Sequence, residues 1–378
     1  MRIGIYGRVM LKPGSGIVRY SFELTQALLK YHPENEYVLY FMKGSVPKLD
    51  FKGKYEVREI DIPYALWRTS LFTNALKKDN IDVFHSMAYT TPAVPRRMRK
   101  VAIVSTFHGL HAEYFWWSLK ENAYSFLNYR IAAKFADRIL CVSQKLKEEV
   151  HERLGKRMDE IDVTYFGINQ KFEPLGAKDK RKYAKYLNEK YHIPEEGFVL
   201  YAGGGNSYNK NVITVLKAWK LLKEKYGFNL PLVIARVELS GFRDALRILD
   251  LKEGKDVIGF QWVGDDLAYM YGCADISIYP SIYEGVGFPI IESMACGVPT
   301  IISNASAMPE CAGGAAEIVE KPRSAEEWAE KVYALHNDKR RQKKLVALGI
   351  KRAKVFTWEN VAHDTVKSYK KAMEQVSH

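Results

Sequence analysis

Cysteine is scarce in this chain. Four are present in 378 residues, Cys141, Cys273, Cys296 and Cys311, and no two form a C-x-x-C pair. Such scatter excludes a disulfide-framed fold and a cysteine-built zinc site, and it fits a reducing compartment. Long apolar runs are missing too, which excludes a membrane-spanning helix. The opening M-R-I-G-I-Y-G is too short and too broken to be a secretory signal. No internal repeat or low-complexity tract occurs, so a solenoid is excluded. The expected location is therefore cytoplasmic, in solution or on the inner face of a membrane.

What the chain does contain is enough for two cores. At 378 residues it exceeds one ordinary domain, and its 47% apolar and 27% charged residues are those of a soluble globular protein. The formal net charge is +13. That excess calls for anionic partners: nucleoside diphosphates, an anionic lipid surface, or nucleic acid. Solvated lysine accounts for much of it. One basic run, Lys178, Lys180, Arg181 and Lys182, comes without a nucleic-acid recognition motif, so no nucleic acid is expected.

Short apolar runs alternate with helical patterns along the whole chain, the mark of an α/β protein with parallel sheets. Strand candidates are Ile3–Ile5, Val38–Phe41, Tyr55–Ile60, Ile81–His85, Val101–Thr106, Ala136–Ser143, Phe198–Ala202, Pro231–Ala235, Val257–Phe260 and Ile276–Pro280. The run Arg96, Arg97, Arg99 and Lys100 reads as a solvated loop before a strand; the sharper alternative is a contact with anionic lipid head groups. Tyr114, Phe115, Trp116 and Trp117 form an aromatic cluster that fits a membrane interface, an acceptor cleft or the packing of a long loop equally well.

Residues 281 to 310 carry the strongest chemical signal. After the buried run Ile276 to Pro280, Gly285 and Gly287 allow the backbone to come close to a ligand. Pro289 opens a helix whose apolar side is Ile290, Ile291, Met294 and Ala295, and Gly297 and Pro299 close it. A strand, a glycine loop and a helix start make a phosphate site, because free N–H groups and the helix dipole face an anion there. Glu284 and Glu292 flank that loop. Carboxylates repel phosphate but accept hydrogen bonds from hydroxyls. The pair therefore suits a ligand with hydroxyls on both sides of its phosphates, and a nucleotide sugar has that layout.

The string E-G-x-G-x-P-x-x-E-x-M-A-C-G-x-P resembles the Glu-x7-Glu signature of retaining glycosyltransferases of the GT-B fold, in particular glycosyltransferase family 4. The resemblance is dense over 198–310 and patchy over 1–170. It implies two Rossmann-like doubly wound parallel-sheet domains facing across a cleft. The first, acceptor-binding, is 1–170 with a last helix of about 357–378 crossing back to it; the second, donor-binding, is 171–356. It implies that Glu284 contacts the donor sugar, that Glu292 binds the ribose hydroxyls, and that the amides of Gly285, Val286, Gly287 and Phe288 hold diphosphate and sugar. Further positions carry over. Gly14, Ser15 and Gly16 resemble a loop whose amides approach the donor phosphates. His108, at the end of the run Val101 to Thr106, matches a histidine beside the donor hexose, although Gly109 stands where the family has Asp. Gly204, Gly205 and Lys210 form the second phosphate loop, and the backbone of Ile258 lies near the nucleobase. Catalysis would rest on His108, Glu284 and Lys210. Gly205 stands where the family often has Arg, so a second cation is needed, with Arg8, Lys12 and Arg236 as unranked candidates.

Expelling a nucleoside diphosphate needs a divalent metal or fixed positive groups. No two aspartates in this sequence are one residue apart, so the Asp-x-Asp motif of metal-using enzymes of the other main fold is missing. The expectation is therefore no metal and no cofactor: a retaining transfer of a hexose from a GDP- or UDP-sugar, mannose first, to a glycan or lipid-linked acceptor. The G-S-G-I-V-R-Y loop, which resembles that of mannosyltransferases, suggests the sugar. Nearer rivals are a sugar phosphorylase or nucleotide-sugar epimerase of the same fold. A dinucleotide oxidoreductase fails because Arg19 occupies the third glycine position of the fingerprint. A membrane or nucleic-acid binding module leaves both glycine loops and both glutamates idle.

Overall fold

The computed structural model describes residues 1–11, 16–115, 119–203, 208–237 and 239–377. The chain forms two compact units, Met1–Gly167 with Phe356–His378, and Ile168–Val355.

The first unit holds seven parallel strands: β1 (Arg2–Tyr6), β2 (Glu36–Met42), β3 (Glu56–Ile60), β4 (Val83–Ser86), β5 (Ala102–Phe107), β6 (Arg138–Cys141) and β7 (Ile161–Val163), in the order β3-β2-β1-β4-β5-β6-β7. β5 and β6 are buried at every residue, as strands covered on both faces must be. The helix Gly16–Tyr31 buries Tyr20, Leu24, Ala27 and Leu28, the face its sequence spacing predicts. Trp67 and Phe72 stack at 4.4 Å inside an apolar cluster with Tyr6, Tyr40 and Phe84. The last helix, Trp358–Ser377, packs on β5 and on Gly16–Tyr31. There Tyr369 meets the buried His85 ring at 2.7 Å, and Ser368 and Lys371 both bond Asp162.

The basic run after Pro95 is a largely exposed segment before a strand, as its composition suggests, except at Arg99. Arg99 is buried and donates to both carboxylate oxygens of Asp137, at 2.6 and 3.0 Å. Arg96 reaches the same carboxylate at 2.7 Å, and the Ile103 amide donates to it at 2.7 Å. Burial of a charge is tolerable only when it is paired and fully hydrogen-bonded. Asp137, which lies 38 positions after Arg99, supplies that pairing. Arg97 and Lys100 are exposed, and Arg96 is exposed as well while it pairs with Asp137.

The second unit holds six parallel strands: β8 (Val199–Tyr201), β9 (Leu232–Ile234), β10 (Val257–Gly259), β11 (Ile276–Tyr279), β12 (Thr300–Ser303) and β13 (Glu317–Val319), in the order β10-β9-β8-β11-β12-β13. The chain runs outward from β8 to β10 and then returns to place β11 beside β8. A doubly wound sheet opens its ligand crevice at such a switch point, beyond the carboxyl ends of the strands. The basic run Lys178 to Lys182 lies on the helix Ala177–Tyr191, whose one buried side chain is Leu187. No helix among the described residues is long and apolar enough to cross a membrane.

Candidate active site

The switch point of the second unit is where the chemistry collects. After β8 the chain makes a short 3-10 turn, Tyr208–Lys210, and then the helix Val212–Tyr226. Gly203 is required there, because a Cβ would lie 2.2 Å from the Tyr201 ring. The Tyr201 hydroxyl donates to the Lys210 carbonyl at 2.9 Å, which fixes the turn. Asn211 follows at φ 57°, a left-handed conformation that asparagine tolerates. Its side-chain amide donates to the carbonyls of Pro280 and Pro322, at 3.1 and 2.6 Å.

These bonds bring the turn against the loop that leaves β11. The Ile282 amide donates to the Asn209 carbonyl at 2.8 Å, and the Asn209 side chain reaches the Tyr283 carbonyl at 3.3 Å. The result is an ion pair: Lys210 Nζ lies 2.5 Å from Glu284 Oε1. Both side chains are largely covered, 20% and 11% exposed. Burial opposes the Lys210 charge, but Glu284 and Tyr201 outweigh it, and the lysine pKa rises above its usual value. Lys210 is thus a fixed cation at any physiological pH. Ser306 donates to the Glu284 carbonyl at 2.6 Å and so anchors the glutamate backbone.

The glycine loop continues into the helix Phe288–Ala295, with Gly287 as its N-cap and Pro289 in the first turn. A Cβ on Gly287 would come 2.8 Å from the Tyr279 ring, so the backbone of β11's neighbour can sit this close only without one. Val286 is buried and Phe288 half-buried. Glu292 lies on the covered side of the helix, 2% exposed, with the Tyr271 hydroxyl 3.3 Å from its Oε2. Ile258 is in β10, two positions from the sheet edge loop that carries Trp262. Of the cations considered for the second positive charge, Arg236, at the end of β9, lies close enough to Lys210 to act on its titration. Arg8 belongs to the first unit and stacks on Tyr64 at 4.8 Å. Lys12, Gly14, Ser15, Trp116, Trp117, Gly204 and Gly205 lie outside the described residues.

In the first unit His108 leaves the carboxyl end of β5, one strand from the β1–β4 switch point. Its Nε2 is 2.8 Å from the Met87 carbonyl, which requires the proton on Nε2 and leaves Nδ1 a bare acceptor. Nδ1 is buried and has no hydrogen-bond partner among the described residues. Burial pushes the ring pKa down to about 4, so the imidazole is neutral. Tyr20 packs edge-on at 4.8 Å. Gly109 has φ 151°, which an aspartate would adopt only with strain. Gly16 is the exposed first residue of its helix.

Asn209, Asn211, Tyr201 and Ser306 were not foreseen as site residues. Their only sequence signal is that two asparagines flank the phosphate-loop lysine.

Two family models match the chain. One, described as Glycosyl transferases group 1, covers residues 183–352; the other, Glycosyltransferase Family 4, covers 14–172. An O-antigen chain mannosyltransferase B of Escherichia coli is 30% identical over 236 residues, 61% of this chain and 60% of that one. A serotype-specific mannosyltransferase of the same organism is 24% identical over 243 residues, 63% of this chain and 29% of that one. The chain therefore spans under two thirds of either relative. An uncharacterized glycosyltransferase of Methanocaldococcus jannaschii is 26% identical over 359 residues, with 85% of each chain covered. Among solved structures, sucrose-phosphate synthase of Thermosynechococcus elongatus superposes with a TM-score of 0.75 at 17% identity, covering 98% of each chain. An Anabaena protein solved with UDP-glucose gives 0.70 at 16%, covering 100% of this chain and 99% of that one. At these identities the structural likeness fixes the fold alone, the GT-B pair of Rossmann-like domains.

Proposed function

The chain belongs to the glycosyltransferases of family 4 and group 1, and from that premise we propose that it moves a hexose from a nucleoside diphosphate sugar to a glycan or lipid-linked acceptor. The observation that carries this reading is the Lys210–Glu284 pair at the β8–β11 switch point, followed by the glycine loop and helix N-terminus. A cation, a helix N-terminus and two carboxylates on adjoining segments match phosphates with hydroxyls on either side. Lys210, Arg236 and the amides of Gly285 to Phe288 stabilise the departing diphosphate, in place of a metal. Glu284 accepts from the sugar hydroxyls and Glu292 from the ribose. His108, neutral and with a bare Nδ1, accepts from a hydroxyl of the transferred sugar. Transfer retains the anomeric configuration, with the donor phosphate taking the acceptor proton, so no side chain serves as base. GDP-mannose is the first donor, supported by the mannosyltransferase names of the Escherichia coli relatives.

Calorimetry and thermal shift with GDP, UDP and ADP test the donor class directly, because a ligand bound only by the native state raises Tm. Selective stabilisation by one of the three is expected. Indifference to all three refutes the reading. Turnover in excess EDTA checks metal independence, and the anomeric proton of the product checks retention.

A further inference from the structure

Resting on that donor-site reading, the geometry points to Trp262 as a stacking platform for the nucleobase, and to a purine as the base it selects. Trp262 is 67% exposed, far more than an indole of its size needs to be, and it sits in the loop after β10. The Arg236 guanidinium lies over the ring, 5.7 Å from its centroid. The two loops are tied together, since the Val237 amide donates to the Phe260 carbonyl at 2.8 Å. Gly264, at φ 58°, turns the chain beside the indole, and a Cβ there would meet the indole nitrogen at 3.6 Å.

The sheet order turns these contacts into a row. Across the carboxyl ends of β10, β9, β8 and β11 come Trp262, Arg236, Lys210 and Glu284. Arg236 acts electrostatically on Lys210, so the two cations share one neighbourhood. An exposed π-face, then two positive charges, then a carboxylate is the order of a base, a diphosphate and a sugar. A second aromatic–cation pair, Tyr208 under Arg323 at 5.1 Å, starts the turn that carries Lys210. That pair instead borders a cavity of about 510 Å³ walled by Val212, Ile213 and Phe242, on the side of the Val212–Tyr226 helix. Stacking strength grows with overlapped ring area, and a bicyclic purine covers more of an indole than a pyrimidine does.

Titration of the full-length protein with GDP, UDP and inorganic pyrophosphate tests this, in the wild type and in Trp262→Ala, Trp262→Phe and Tyr208→Ala. The wild type should bind GDP more tightly than UDP. Trp262→Ala should weaken GDP about 10- to 100-fold, the usual effect of losing one base–aromatic stack, and narrow the GDP-to-UDP ratio. Trp262→Phe should recover most of the loss, and pyrophosphate should bind all variants alike. Unchanged GDP binding in Trp262→Ala overturns the inference while leaving the donor site standing. So does an equal loss of pyrophosphate, a loss confined to Tyr208→Ala, or a wild type that binds UDP as well as GDP. No binding of any nucleotide to the wild type overturns the proposed function and this inference together.

Discussion

Replacing Lys210 by alanine separates the two things its ammonium does. The first is structural. Glu284 is a largely buried carboxylate whose cationic partner is 2.5 Å away. Removing one member of a buried pair leaves an uncompensated charge, at about 3–5 kcal/mol when burial is complete. With 20% and 11% of the two side chains still exposed, the lower end of that range or a little less applies, about 2–3 kcal/mol. The second is chemical. A cation about 4 Å from a developing phosphate charge is worth about 4 kcal/mol at an effective dielectric near 20. Loss of one preorganised donor costs about 100- to 1,000-fold in kcat. Lys210→Ala should therefore lower both Tm and the rate of nucleoside diphosphate release at saturating donor. The double variant Lys210→Ala, Glu284→Gln removes the stranded charge. It should recover most of the lost Tm and none of the rate. Single-variant turnover within about threefold of wild type would refute the assignment, as would a double variant whose turnover returns with its stability. The raised Lys210 pKa adds a sign. Its contribution to stability is complete below the ordinary lysine pKa and is lost as the pH climbs through the higher folded value, so the wild-type and double-variant melting curves should converge in strong alkali.

Glu292→Ala should raise the donor KM by about tenfold or more, the worth of a hydrogen bond to a charged group, with kcat moving less; an unchanged KM counts against a ribose contact. His85 and His108 are buried neutral, with pKa values pushed down to about 3 and about 4. The unfolded chain binds protons at these positions first, so the stability they contribute is complete above about pH 6.5 and drains away as the pH falls toward those folded values. Tm should drop steadily from pH 7 to pH 4, and His85→Gln with His108→Gln should flatten that slope; an identical slope refutes it. Asp137→Asn strands the buried Arg99 guanidinium and should cost about 3–5 kcal/mol in urea unfolding, whereas Arg97→Ala and Lys100→Ala should stay within about 0.5 kcal/mol. Equal effects from all three would restore the picture of a uniformly solvated run.

Local signals were readable where one element made them. Gly285, Gly287, Pro289 and Gly297 bracket a helix that forms at Phe288–Ala295, with Gly297 at φ 71° ending it. Runs such as Val101 to Thr106 and Ile276 to Pro280 became parallel strands, because residues covered on both sheet faces leave no alternation to misread. Charge was harder. Arg96, Arg97, Arg99 and Lys100 are neighbours of one sign, and nothing local shows that Asp137 lies beneath two of them. Composition reports what a segment contains; whether a charge is solvated depends on a partner that the fold delivers from elsewhere.

The same limit explains which part of the site could be named and which could not. Lys210 and Glu284 are each recognisable as strand-end residues, yet they are 74 positions apart, and their contact requires that β11 return to β8 instead of extending the sheet beyond β10. Hydrophobic pattern is the same for both arrangements, since β8, β9 and β11 are all buried at every residue. Once β11 lies beside β8, Asn209 and Asn211 have acceptors within reach at Tyr283 and Pro280, and the turn carrying Lys210 can close on Glu284. Arg236 gains its place from a different pairing, because β9 lies next to β8, the strand that leads to Lys210. Arg8, an equal candidate by residue type, belongs to the other unit. Strand order therefore does the ranking that residue chemistry alone leaves open. A substitution that altered strand order in the second unit would dismantle the ion pair, both cations and the indole face at once, without touching any of the residues that form them.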